Sequence, residues 1–443
     1  MKKYLFTLLF FVGIGLNAFS TTYTSAQNGN WTNPTTWSPL GVPLSGDIVT
    51  ITHSVTLDTD LAFNVGSITI NSGGSLNDDV PFSRDIWMNG VNVSITNNNG
   101  GVRIRNLLIS AGTLTNKADF AVKVVANFGT IHNLVTSGGH LINLDSLYND
   151  GLINNEGIIT INTFFNNDVF NNYGNINKFG GPFPVDSMYN AGTFLNDVGA
   201  LIIADSCTNS GTFTNNGTLE YMQVTNLGTF TNNDQMNFDD LTNMGTFNNN
   251  ATLVGSKSLW NNEIFWNNSS ASLSLAVSFL NSDSTGLSGA VFNNYGNVDI
   301  GDSFYNFNVI NGTYQGSFSV QDTSYNSGVM TESFDFCDAT PPPSSPYIDI
   351  NLGTVDPLIT YCTATTINEI KHIDFTIYPN PTEGYVYFGN EKQFVQVFSA
   401  EGKKIIDEYT NQINLKRFDS GIYYLMINDE KGNRIYSEKI IKE

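Results

Sequence analysis

Two short phrases return along this chain at intervals too regular for an ordinary globular core. Gly211-Thr212-Phe213-Thr214-Asn215-Asn216 reappears as Gly228-Thr229-Phe230-Thr231-Asn232-Asn233. The second phrase, x-Ser-apolar-x-Asn, ends on asparagines 149, 166, 190, 209, 226, 243, 261, 281, 306 and 326, in steps of 17, 24, 19, 17, 17, 18, 20, 25 and 20 residues. A period of this size marks a unit that cannot bury its apolar face alone and must stack on copies of itself. Between copies lie Gly-Thr-apolar stretches at Gly192, Gly211, Gly228 and Gly245, and often a second, such as Gly217-Thr218-Leu219. Each period therefore offers three short strands separated by Asn/Gly turns. A propeller blade needs about 40 residues and a leucine-rich repeat follows a different leucine frame. The expected fold is all-β: a parallel β-helix solenoid in which each strand pairs with its equivalent one coil along, about 4.8 Å away. A right-handed coil is the expectation, although no residue fixes the hand. Glycine is expected where the turn needs positive φ. Asparagine is expected where a side-chain amide bonds its own turn and the next coil's asparagine.

Alternation assigns the faces. Two positions before each terminal asparagine stand Leu147, Phe164, Met188, Cys207, Val224, Leu241, Leu259, Phe279, Phe304 and Ser324, an almost wholly apolar column that should face the core. Cys207 then behaves as a small buried hydrophobe. One position before the asparagine, the residue must face outward. That column holds Tyr148, Phe165, Tyr189, Thr208, Thr225, Thr242, Trp260, Leu280, Tyr305 and Tyr325. Aromatics one coil apart form a structural ladder in one reading. In the other, Tyr148, Tyr189, Trp260, Tyr305 and Tyr325 form a platform for the apolar faces of sugar rings. Four positions before the asparagine, Asp145, Asp186, Asp205, Asp239, Asp302 and Asp322 read as turn acceptors. Calcium would need several oxygens converging on one point, and its strong loop motifs are missing. No metal and no cofactor is expected.

Charge narrows the partners. Residues 21–370 hold 7 Lys/Arg against 29 Asp/Glu. Such a body repels phosphate backbones and anionic membranes, because it cannot displace their counterions. Nucleic acid is excluded on that ground. Eliminative cleavage of acidic sugars needs a base and cations to hold the carboxylate, yet residues 131–370 offer only Lys178 and Lys257. Hydrolysis by paired carboxylates would fall to Asp239-Asp240, which lie within the repeat phrase and so favour a turn role. His53, His132, His140 and His372 lack metal-ligand spacing, and no Ser nucleophile elbow occurs. The expectation is a protein that is not an enzyme, with no catalytic residues.

The ends differ from the middle. Residues 1–20 combine Lys2 and Lys3 with an apolar run from Tyr4 to Leu16 and Ala18-Phe19-Ser20, the pattern of a cleaved secretory signal. No other apolar run is long enough to span a bilayer. Residues 21–110, with Trp31, Trp37 and Val42-Pro43, resemble the N-terminal cap of secreted bacterial β-helix proteins, and are read as that cap plus the first coils. Residues 111–336 are the β-helix repeats. Residues 337–371 form a proline-rich cap or linker in which Cys337 and Cys362, in an exported chain, read as a disulfide rather than a metal pair. The last segment, 372–443, runs through Tyr378-Pro379-Asn380-Pro381, a Gly402-Lys403 hairpin, Gly421-Ile422-Tyr423 and a closing Lys439-Ile440-Ile441-Lys442. This order resembles the C-terminal sorting domain of type IX secretion substrates. The resemblance implies a small antiparallel β-sandwich read by the outer-membrane translocon, and a chain that is secreted or attached to the outer-membrane surface.

The functional expectation follows from these parts: a secreted, adhesin-like structural protein that contacts glycans or surfaces multivalently. The alternatives are a polysaccharide-binding module of a glycan-use system and, behind it, a β-helix glycoside hydrolase.

Overall fold

The computed structural model describes residues 20–135, 140–177, 185–283, 289–362, 377–388, 392–400, 403–428 and 434–443. The signal-like residues 1–19, the loop 178–184, most of the loop 282–290, His372 and Gly402 lie outside them. Two compact units divide the chain, one running to Thr363 and the other starting at Ala364.

The first unit is a parallel β-solenoid of about 14 turns. One turn shows the plan. Strand Thr212–Asn215 forms face 1, and strand Thr218–Asn226 bends midway to supply face 2 and then face 3. Each lies in parallel register on its successor, with Thr212 opposite Thr229 and Val224 opposite Leu241. Among the described residues face 1 collects 18 strands, the outermost ones short, and the antiparallel strand pair there joins Thr22–Ser25 to Trp37–Ser38.

Apolar alternation drives this winding. The column read as core-facing is buried throughout, from Leu147 through Cys207 to Ser324. On face 1 a second inward column forms, in which Phe170, Phe194, Phe213, Phe230, Phe247, Phe265 and Phe292 stack with centroids 4.6–4.9 Å apart. Burying each ring contributes up to about 3 kcal/mol, and ring pairing adds roughly 0.5–1.5 kcal/mol. The ring spacing equals the strand spacing, so packing and pairing demand the same rise.

Two columns of asparagine, buried up to the half-buried Asn351, clamp the corners. One runs from Asn127 through Asn209, Asn226 and Asn243 to Asn351 at the end of face 3. The other runs from Asn97 through Asn215 and Asn232 to Asn294 at the end of face 1. Asn226 Nδ2 donates to Asn243 Oδ1 at 2.8 Å, to Thr246 O at 2.9 Å and to Gly228 O at 3.2 Å, while Asn226 Oδ1 accepts from Asn209 Nδ2 at 2.8 Å. Among the described residues, no ladder asparagine leaves a buried side-chain atom without a partner. The chain thereby buries a polar group at every corner without the usual penalty.

The glycines of the repeat act for a reason other than the one expected. Gly192, Gly211, Gly228 and Gly245 do not have positive φ. A Cβ at Gly228 would instead stand 2.2 Å from Gly211 O, and one at Gly245 would stand 2.3 Å from Gly228 O. Glycine is required there because backbone passes directly over backbone.

At the N-terminal end Trp31 and Trp37 meet edge to face at 5.0 Å, and Trp37 Nε1 donates to Trp31 O at 2.9 Å. At the other end the stack continues past the last repeat phrase. Ile350–Asn351, Thr354–Val355 and Thr360–Tyr361 pair in parallel with the preceding rung, so part of the proline-rich segment is itself a rung. Cys337, on strand Asp335–Asp338, and Cys362 form a disulfide across these last rungs.

The second unit is antiparallel. A sheet of three strands, Ile377–Tyr378, Tyr385–Phe388 and Gln412–Asn414, accompanies one of four, Lys404–Thr410, Gln393–Ser399, Gly421–Asn428 and Arg434–Lys442. Val386, Phe388, Val395, Val397, Leu425, Ile427 and Ile440 form its separate core.

Replacing Asn226 by Ala should lower the stability of the solenoid by about 3 kcal/mol, because it strands the donors and acceptors of two neighbouring rungs. Asn250→Ala removes a link of a solvent-exposed asparagine row and should cost less than about 0.5 kcal/mol. Denaturant midpoints and amide exchange of the flanking rungs compare them, and equal losses would remove the ladder from its structural role.

Candidate functional site

Outward residues of face 3 form the surface singled out by the sequence. Tyr148 and Tyr189 project from it, each about two-fifths exposed, with Phe165 between them. Tyr148 and Phe165 stack at 4.9 Å and 1°, and Phe165 and Tyr189 at 4.9 Å and 7°. Three parallel rings one strand apart cover one another's faces and present edges to solvent. Farther along, Tyr305 and Tyr325 tilt by 43° at 6.4 Å, and Phe307 packs on Tyr325 at 5.3 Å. The five residues proposed as one column therefore fall into two end groups and Trp260, with Thr208, Thr225 and Thr242 between Tyr189 and Trp260 and Leu280 between Trp260 and Tyr305.

Trp260 differs from the others. Its rung neighbours are Thr242 and Leu280, and its Nε1 donates to Ser282 O at 3.2 Å, which fixes the indole across the strands. The ring borders a shallow groove of about 500 Å³ lined also by Gln223, Thr225, Asp240, Thr242 and Ser258. A second groove of about 530 Å³ lies beside it along the same coils, lined by Glu220, Tyr221, Asn237, Asp239, Val254 and Gly255. The groove follows the bend between faces 2 and 3, where Gly255 is a buried position and the side chains of Phe238 and Leu275, on the rungs before and after, fill the space a Cβ would take. Sequence reading missed the grooves because concavity arises from the angle between strands and not from any residue pattern.

The carboxylate beside the second groove is paired. Ser256 and then Lys257, by hydrogen bonds to its carboxylate, hold Asp239 below the usual carboxylate range. Lys257 Nζ lies 3.1 Å from Asp239 and 3.7 Å from Asp240. Asp239 thus stays ionised as a partner of Lys257 and makes a poor proton donor. The acidic column read as turn acceptors includes Asp145, whose carboxylate lies 3.5 Å from Lys123 Nζ. Burial pushes the Cys207 thiol up to about 12, so it is neither nucleophile nor thiolate ligand. Among the described residues, no three His, Cys, Asp or Glu side chains converge to hold a metal ion.

In the second unit the sequence motif becomes a geometric device. Asn380 Nδ2 donates to Lys439 O at 2.7 Å, and Asn380 Oδ1 accepts from Ile441 N at 2.9 Å. The Tyr378-Pro379-Asn380-Pro381 turn is thereby fastened to the edge of the last strand, where Thr382 N donates to Ile441 O at 2.8 Å. Tyr378 stacks on Tyr387 at 5.9 Å. Tyr423 is buried and donates its hydroxyl to Asp419 O at 2.7 Å, while Gly421 and Ile422 pair with Lys442 and Ile441. Lys403 closes the hairpin through its carbonyl, which accepts from Ser399 N. Gly402 lies outside the described residues.

This fold and motif define an exported β-solenoid with a sorting module at its C-terminal side. Residues 376–443 match the family model of the secretion system C-terminal sorting domain. No curated protein and no solved structure matches the chain. The sorting domain is the type IX kind, so the chain is handled by that secretion system and is located at the cell surface or outside the cell. Among the described residues no helix is long and apolar enough to cross a membrane.

Asn380→Ala should speed amide exchange of Arg434–Lys442 by about tenfold to a hundredfold, the loss of one to two hydrogen bonds, and leave solenoid amides unchanged. Equal protection in the variant would show that the turn does not hold that strand.

Proposed function

We propose that the exported solenoid is a structural, adhesin-like contact protein that engages glycans or surfaces through weak sites repeated along its length. The supporting observation is Trp260, an outward indole fixed beside a shallow groove whose polar walls are hydroxyl and carboxamide side chains together with the Asp240 carboxylate. An aromatic face beside polar groups is the arrangement that takes a sugar ring, with its apolar face on the indole and its hydroxyls on Gln223, Thr225 and Ser258. Tyr305 and Tyr325, being tilted, offer part of their faces, whereas Tyr148 and Tyr189 offer chiefly edges. Each contact is weak alone, and repetition on a rigid rod supplies avidity. A polysaccharide-binding module of a glycan-use system would employ the same groove. Hydrolysis finds less support, since Asp239 is held ionised by Lys257.

Trp260→Ala should weaken binding of the purified protein to an immobilised glycan panel about tenfold, the loss of a central aromatic contact. Cells lacking the protein should lose attachment or biofilm cohesion, and the Trp260→Ala form should restore export without full attachment. Unaltered attachment in the deletion strain would remove the adhesive reading. Reducing-sugar release from the panel would replace it with the enzymatic one.

A further inference from the structure

Face 1 carries no charge on its outer surface. The two outward positions of each rung run from Ser67 and Thr69 through Thr113 and Thr115, Thr212 and Thr214, and Thr229 and Thr231 to Val329 and Thr331. At every rung between, they hold Ser, Thr, Asn, His, Trp or an aliphatic residue, and never Asp, Glu, Lys or Arg. The body as a whole carries 29 acidic residues. The acids stand elsewhere, some on faces 2 and 3 and some along the two edges of the face, with Asp150 and Asp168 at the turn entering it and Glu156 and Asp234 at the turn leaving it, all exposed.

We infer that face 1 is a docking surface for an uncharged polysaccharide. This rests on the surface-contact reading above and adds to it a face and a ligand class. Acidic edges repel an anionic polymer, and a cationic one finds no carboxylate on the face itself. A second copy of the chain would bring two acidic bodies together and bury outward carboxamides without a guaranteed partner. A neutral chain of sugars meets neither obstacle. Its hydroxyls pair with threonine hydroxyls set about 4.8 Å apart along the rod and about 6.6 Å apart along each strand. Asn171 Nδ2 donates to Asn154 Oδ1 at 2.8 Å, and Asn311 Nδ2 to Asn293 Oδ1 at 2.9 Å. Asn171 and Asn311 are half-buried and each amide has a second N–H to offer a ligand, whereas Asn293 is buried and donates to Phe265 O. Trp266 rises from the same face, its ring edge-on to Tyr295 at 5.8 Å.

The test is native electrophoresis of the exported full chain through gels containing hydroxyethyl cellulose, galactomannan or starch, with carboxymethyl cellulose as the anionic counterpart. The wild type should be retarded by at least one neutral polymer, more weakly by the anionic one, and to the same degree in 0.5 M salt. Thr212→Glu, Thr229→Glu and Thr246→Glu together should reduce retardation at least tenfold, and should do so in the Trp260→Ala background as well as in the wild type. If the triple variant lowers the denaturation midpoint, Thr→Val at the same three sites keeps the β-branched shape, and a loss of at least fivefold is expected. No retardation by any neutral polymer overturns the inference. Loss on Trp260→Ala but not on the face 1 variants also overturns it and leaves the Trp260 groove standing. A dimer in sedimentation velocity that the triple variant dissociates assigns the face to a second copy and overturns it likewise.

Discussion

The buried carboxamide is the constraint on which this structure rests. An asparagine inside a protein must have its donors and acceptors met or it costs several kcal/mol. Here its best partner is the same residue one strand away, so each rung must fall at the spacing that satisfies the last. That spacing then governs the remaining columns. Phenylalanines 4.6–4.9 Å apart stack, and glycines such as Gly228 let one corner pass over another. Hydrogen bonding, aromatic packing and backbone clearance all specify one geometry, which is the consistency that gives a single native fold.

A rod built this way separates its two tasks. Inward positions are nearly fixed, and outward positions are free to vary rung by rung. The chain uses that freedom unevenly: charge gathers at edges and on faces 2 and 3, aromatics on face 3, and uncharged hydroxyl and carboxamide groups on face 1. The second unit has a core of its own and carries the export address. Destination and contact chemistry therefore reside in different parts of the chain.

Much of the fold was legible in the sequence because stacking forces like onto like. Leu147, Met188 and Leu241 announced the core by recurring at one offset from asparagine, and Tyr378-Pro379-Asn380-Pro381 announced the sorting domain. The first coils were harder to see for a physical reason. Ile70 occupies the place opposite Asn97, and Ile109 the place opposite Asn127. Aliphatic residues fill those corners without spelling the phrase, although parallel pairing already begins where Thr22 meets Ile48. The rung at residues 350–361 was hidden behind prolines in the same way. Local pattern could not say why Gly211 is glycine, since the obstacle comes from Gly192, a coil away. Nor could it show that Tyr148 and Tyr189 cover Phe165, or that a strand bend opens a groove beside Trp260, because these follow from angles between elements.

The most direct measurement is the rise per rung in solution. Nitroxide labels at Thr130, Thr246 and Thr354 would share one outward column of face 1, with Thr246 six rungs from Thr130 and Thr354 five rungs further on. Cys207 is buried and protonated, and Cys337 and Cys362 are bonded to each other, so introduced cysteines can be labelled selectively. Pulsed dipolar spectroscopy should give narrow distributions near 29 Å for Thr130 with Thr246 and near 53 Å for Thr130 with Thr354, at about 4.8 Å per rung. Distances that fail to grow in proportion to rung number, or broad distributions between positions on the same column, would contradict a single continuous stack.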